Sequence, residues 1–169
     1  MALLTVLHYP DKKLRNIAAP VSEFNDDLHT IVKDMFETMY AEKGVGLASI
    51  QVGIQQRIVV IDISEEKNAP LCLINPEIVY EEGFQYEEEG CLSVPEFWDR
   101  VERVEKIKVR AFDQKGKPLE LEAEGLLSIC IQHEIDHLNG ILFVDHMSRL
   151  KQERFNKKIL KLQKAEVKA

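Results

Sequence analysis

Apolar residues recur at two different periods along this chain. Leu28, Ile31, Val32, Met35, Phe36, Met39 and Tyr40 repeat every three or four residues, the spacing of one face of an α-helix. Asn25 precedes them as a candidate N-cap, and Asp26 and Asp27 fall in the first turn, where negative charge meets exposed N–H groups. The pattern predicts an amphipathic helix over 26–42 that ends near Gly44 and buries a Met and Phe stripe. Arg57 to Ile63 is a β-branched run and predicts a buried strand. After a loop over Glu65 to Pro70, Leu71 to Tyr80 predicts a second strand, bulged or broken at Asn75-Pro76 because proline lacks the ladder N–H. Ile107, Val109 and Ala111 alternate with polar residues, which predicts a half-exposed strand over 106–112. Asp113 to Lys117 reads as a hairpin connection, and 119–123 returns from it.

Between these periodic stretches the pattern is weaker. Met1 to Ser22 reads as irregular, broken by Pro10 and Pro20, with a short helical turn near Pro10-Asp11. Gly44 to Gly53 holds three glycines in ten residues. It is either a tight loop leaving the first helix or a pocket wall to which Gln51 offers an amide. Of the acidic cluster Glu81, Glu82, Glu87, Glu88 and Glu89, most reads as a solvated face around a turn at Gly83; Glu89 is set apart, two residues before Cys91. Gly125 opens a second helix on which Leu126, Leu127, Ile129, Cys130, Ile131, Ile135 and Leu138 are spread around the axis. A helix apolar on nearly every side is a central one. Gly140 closes it, and Ile141 to Val144 reads as a short extended piece. Phe155, Ile159, Leu160 and Leu162 form a rough stripe on a basic C-terminal helix.

At 169 residues, 45% hydrophobic and 30% charged, the chain has the size and balance of one globular domain. No apolar run has membrane-spanning length, and no secretory signal opens the sequence. Three cysteines, Cys72, Cys91 and Cys130, cannot all pair, so reduced thiols in a cytoplasm are expected. The net charge of −7 is uneven: residues 149–169 carry eight basic and two acidic side chains, a surplus of +6, which leaves the body at −13. A basic tail on an acidic body suits contact with a polyanion.

The chemistry lies on the central helix. Gln132 to Gly140 contains H-E-x-x-H, with His133, Glu134 and His137. Helical spacing puts the two imidazoles one turn apart on one face, about 6 Å along the axis. Together they can grip a metal, with Glu134 within reach of water on that metal. Buried histidines and a buried glutamate are costly unless paired or metal-bound, which argues against a spectator role. A catalytic site needs a third protein ligand. Cys130 shares the histidines' helix and would strain a three-sided geometry; Cys91 follows Gly90 on a separate loop, and the spacing favours it. Cys72 reads as a small core residue, and His8, His29 and His146 as structural or exposed.

Three stretches in register, Gly44 to Gln51, Glu89 to Ser93 and Gln132 to Gly140, resemble the motifs of the peptide deformylases. Ser49 stands where the family has alanine, and the loop Glu96-Phe97-Trp98-Asp99 falls in a region that varies in the family. The resemblance implies an α+β fold, with antiparallel β-sheets packed around the metal-binding helix and a C-terminal helix. Residues 1–148 would form the catalytic domain, and 149–169 its basic helical tail. The implied function is removal of the formyl group from N-terminal formyl-methionine of newly made polypeptides, with release of formate. Cys91, His133 and His137 would be the metal ligands, and Glu134 the general acid/base on water bound to the metal. Gln51 and the backbone N–H of Leu92 would donate to the substrate oxygen. Gly46 would bond the peptide backbone, and Val45, Ile129 and Cys130 would line the methionine pocket. The implied metal is one Fe2+, with Zn2+, Ni2+ or Co2+ able to substitute. Each histidine should donate its other ring N–H to an acceptor, with Glu89, Asp136 and backbone carbonyls as candidates. A cytoplasmic monomer is expected, and the tail suggests docking on the ribosome. A zinc endopeptidase shares H-E-x-x-H but normally takes His or Glu as third ligand; a non-catalytic metal- or RNA-binding module is the rival from another class.

Overall fold

A computed structural model describes residues 3–168 of the chain; Met1, Ala2 and Ala169, which belong to the predicted irregular start and basic tail, lie outside the described residues. Helix α1 spans Asp26–Ala41. Asn25 caps it, its side-chain oxygen accepting from the Leu28 N–H at 3.0 Å. The helix ends in a Schellman turn at Lys43, not at a glycine: Lys43 takes the left-handed φ of 58°, the Gly44 N–H donates to the Met39 carbonyl, and the Lys43 N–H to that of Tyr40. Gly44 answers a different demand. A Cβ there would stand 2.9 Å from Leu92 Cδ1.

Five strands follow: β1 Gly46–Ala48, β2 Ile58–Ile61, β3 Leu71–Cys91, β4 Val94–Phe112 and β5 Pro118–Glu124. They form one antiparallel sheet in chain order. The predicted break at Asn75-Pro76 is a register shift between Ile74 and Glu77. Asn75 uses its side chain to staple that bulge to both backbone groups of Val21. The acidic stretch differs from its expected turn. Strand β3 runs straight through Gly83 to Cys91, and the chain reverses only at Leu92-Ser93. Backbone pairing with β4 explains it, because the ladder continues past Gly83, from Glu82 opposite Lys106 to Cys91 opposite Val94.

Helix α2, Gly125–Leu138, packs on this sheet. Ile131, Leu138 and Cys130 join Val59, Leu73, Ile107 and Val109 in one core, while Leu28, Met35 and Met39 of α1 fill a second with Leu47 and Ile58. Leu126 is an exception to the buried helix, 54% exposed at its start. Past Gly140, the segment expected to be extended coils into a short 3-10 turn, Phe143–His146, because Asp145 accepts from the Leu142 N–H at 2.9 Å and Leu142 and Phe143 are buried. Helix α3, Arg149–Lys168, follows. Its expected stripe narrows to Phe155 and Ile159, which pack with Val94, Val101 and Phe143; Leu160 and Leu162 face solvent.

Candidate active site

One face of α2, the β3–β4 turn and the segment after α1 converge on a cleft of about 1040 Å³. The helical spacing of His133 and His137 brings their Nε2 atoms to 3.2 Å. Cys91, at the last position of β3, puts Sγ 3.3 Å from His137 Nε2. All three ligand atoms lie within 4.8 Å of one another, and Cys130 is not among them. Cys130 and Ile129 line the cleft wall with Val45, Gly46 and Leu92.

Glu134 is 4% exposed, and its Oε2 has no hydrogen-bond partner among the described residues. Burial pushes its carboxyl up to about 7. Gly46 makes room for it: a Cβ there would stand 3.3 Å from Glu134 Cγ and Cδ. Gln51 is held from both ends. Its Oε1 accepts from the Ala48 N–H at 2.9 Å, and its Nε2 donates to Ser93 Oγ at 3.1 Å with Cys91 Sγ at 3.6 Å. The amide N–H₂ is thereby aimed at the Cys91 sulfur end of the site. The glycine-rich stretch is thus a pocket wall.

Behind the histidines lies a buried ion-pair chain. His133 Nδ1 donates to Glu89 Oε1 at 2.9 Å. Arg103 clamps Glu89 with two bonds of 2.8 and 2.9 Å, and reaches Asp136 Oδ2 at 2.7 Å. His146 Nε2 meets the same Asp136 oxygen at 2.8 Å. Burial alone would raise the Glu89 carboxyl; Arg103 and His133 hold it below its ordinary value. Burial would lower His133, but hydrogen bonds to Cys91 and Glu89 raise it well above. Burial, with the charge of His133, lowers His137. Of the expected acceptors, Glu89 serves His133, whereas Asp136 serves Arg103 and His146 instead. His137 Nδ1 is buried without a partner among the described residues.

The family model described as Polypeptide deformylase matches residues 3–153. The chain belongs to the polypeptide deformylase family. Solved deformylases share its fold along nearly the whole length. The enzyme from Legionella pneumophila is 48% identical, with 99% of each chain covered and a TM-score of 0.93. That from Synechococcus elongatus, in complex with actinonin, is 44% identical over 92% of this chain and 86% of its own, with a TM-score of 0.88. That from Thermotoga maritima is 42% identical over 88% of this chain and 99% of its own, with a TM-score of 0.84. The α+β fold and the enzyme class follow from this likeness.

The donor set of this deformylase suits a divalent metal. Two imidazole nitrogens on one tetrahedral ion stand about 3.3 Å apart, and a thiolate sulfur about 3.5 Å from each. The two separations found here, 3.2 and 3.3 Å, are close to those. Three soft or borderline donors with a buried carboxylate beside them have the chemistry that suits a divalent cation. Sequence reasoning missed Arg103 and gave His146 no companion. An arginine in the charged run Arg100-Val101-Glu102-Arg103-Val104-Glu105 reads as a solvent-facing strand position, and the signal that could have found it was Glu89, an acid two residues before a candidate ligand. Among the described residues no helix is long and apolar enough to cross a membrane.

Proposed function

We propose that this deformylase removes the formyl group from N-terminal formyl-methionine of newly made polypeptides in the cytoplasm, acting as a monomer and releasing formate. The observation that carries the reading is one cysteine sulfur and two imidazoles facing each other on a cleft, beside a buried carboxylate whose Oε2 has no hydrogen-bond partner among the described residues. Cys91, His133 and His137 would hold the metal, Fe2+ by family resemblance, with Zn2+, Ni2+ or Co2+ able to substitute. A divalent cation there supplies Lewis acidity and lowers the pKa of water.

This chain's own residues do the rest. The Gly46 backbone orients the peptide, and Val45, Ile129 and Cys130 enclose the methionine side chain. Water attacks the formyl carbon while Glu134 takes its proton. Negative charge grows on the formyl oxygen, where Gln51 Nε2 and the Leu92 N–H donate; losing one such donor costs on the order of 10²–10³ in rate. The C–N bond then breaks, Glu134 returns its proton to the amine, and formate leaves. Cys130 stays a neutral wall residue, since burial pushes its thiol up to about 12.

The test is Glu134→Gln. It should keep its metal and lose about 10²–10⁴ in turnover of formyl-Met-Ala-Ser. Turnover at wild-type speed would sink the mechanism, and cleavage of an internal peptide bond without formate release would favour an endopeptidase. Helix α3 is proposed to dock on ribosomal RNA through its +6 surplus. Because Phe155 and Ile159 belong to the core, the test is charge removal, Lys157, Lys161 and Lys164 to Gln, not truncation. Unchanged co-sedimentation with ribosomes would remove the idea.

A further inference from the structure

Deformylation asks one thing of Gln51: an N–H of its amide must meet the formyl oxygen as negative charge grows there. A glutamine amide does not guarantee this. Turned over, it would present Oε1 to that oxygen and repel it. The backbone beneath the side chain is fixed first. Gln51 sits in the 3-10 turn Ser49–Val52, where the Ser49 hydroxyl donates to the Gln56 carbonyl. Residues 7–9 tie this turn to the β3–β4 turn. The Leu7 N–H donates to the Gln51 carbonyl at 2.7 Å, and the Tyr9 N–H to the Ser93 carbonyl at 2.7 Å. The segments that carry Gln51 and Leu92 are thus held to one strip of chain.

What remains free is the side chain. The Ala48 N–H is a donor only, so its bond to Oε1 at 2.9 Å decides which end of the amide faces the cleft. Ser93 Oγ accepts one Nε2 hydrogen at 3.1 Å and stops rotation about the last bond. The other hydrogen faces Cys91 Sγ at 3.6 Å, a weak acceptor. An oxyanion is a stronger one, and it can take that hydrogen without rearranging the amide. Gln51 is 1% exposed and Ser93 is fully buried, so bulk water does not replace the hydroxyl once it is removed. The bonds from residues 7 and 9 use backbone groups, and a change of the Ser93 side chain leaves them in place.

We infer that Ser93 is a positioning residue of the reaction: its hydroxyl engages one hydrogen of the Gln51 amide so that the other is already aimed where the oxyanion forms. Ser93 acts through Gln51 and does not itself touch the peptide. This rests on the deformylase reading above, which supplies the oxyanion.

The experiment uses the metal-loaded full chain and formyl-Met-Ala-Ser. Ser93→Ala should lower kcat about tenfold and leave KM within about twofold, because the aimed N–H is needed in the transition state and not in the bound substrate. In a Gln51→Ala background the same change should cost less than about twofold, because no amide remains to be positioned. A purely structural serine would cost the same in both backgrounds. That result, or a wild-type kcat in Ser93→Ala, would overturn the inference. A second measurement needs no active variant. In the Zn2+-loaded wild type, followed by NMR, the side-chain amide hydrogens of Gln51 should exchange with solvent at least about tenfold more slowly than those of an exposed glutamine. Ser93→Ala should remove most of that protection. Exchange at the exposed rate in the wild type would equally refute the positioning. If the wild type releases no formate yet Gln51 is protected through Ser93, the deformylase reading fails and the pairing of the two side chains stands. If formate is released and Ser93→Ala matches the wild type in both measurements, Ser93 positions nothing and the deformylase reading stands.

Discussion

Arg103→Met removes the permanent cation that neutralises the Glu89 carboxylate. Both side chains are 4% exposed and joined by two bonds of 2.8 and 2.9 Å, and Arg103 also holds Asp136 at 2.7 Å. Methionine fills the space of the stem but leaves Glu89 a buried charge with His133 as its remaining partner. Breaking one side of such a pair costs roughly 3–5 kcal/mol. With an unfolding entropy of about 2.1 cal/mol/K per residue over 169 residues, the melting temperature should fall by roughly 8–14 °C. The sign with pH follows from the directions of the shifts. In the native chain the Glu89 carboxyl is held below its unfolded value, so its contribution is full above the ordinary carboxylate pKa and fades as pH falls through the depressed one. In the variant, burial wins and the folded value rises above the unfolded one. The penalty is then full above that raised value and shrinks as acid protonates Glu89. The assay is thermal unfolding of chelator-treated protein from pH 8 down to 5. Arg103→Met/Glu89→Gln should regain part of the loss, because it replaces the stranded charge by an amide. A drop below about 3 °C, or a double variant no better than the single one, would refute the ion-pair argument. Metal affinity should fall about 10–100-fold, since His133 loses the anchored acceptor that orients its ring.

Two further outcomes are expected. Cys91→Ser should lose or greatly weaken metal binding while Cys130→Ser keeps it, measured by metal analysis after dialysis; the reverse pattern would exchange their roles. For pH, burial places Glu134 at about 7, and a cation beside it draws the value down by favouring the charged form. A base must be deprotonated to act, so kcat/KM should rise with pH along an acid limb whose midpoint lies below 7. A midpoint above 7 would show that another group controls the limb.

What could be read from the sequence was what local spacing dictates. Asn25 and the three-four repeat define α1 because a helix closes its bonds within one turn. His133, Glu134 and His137 were legible for the same reason: four residues fix their common face. Cys91 came from a different element, yet a glycine beside a thiol still marked it. The outer half of the β3–β4 hairpin was hidden, because it exposes both faces and so lacks alternation. Its strand character comes from backbone pairing with β4, which sets Glu82 and Glu88 opposite Lys106 and Arg100, residues 24 and 12 positions away. Arg103 was hidden for a stronger reason. Its burial follows only once β3 brings Glu89 and α2 brings Asp136 to the same point, 14 and 33 residues distant. The candidate metal-binding atoms are therefore specified by motifs, while the protonation state of their support is specified by tertiary assembly. A chain carrying all three deformylase motifs but no cation at position 103 would be assigned to the same family, and would still bury an unneutralised Glu89 behind its first histidine. Motif identity and a working metal centre are separate properties here, and the Arg103 experiment is the one that pulls them apart.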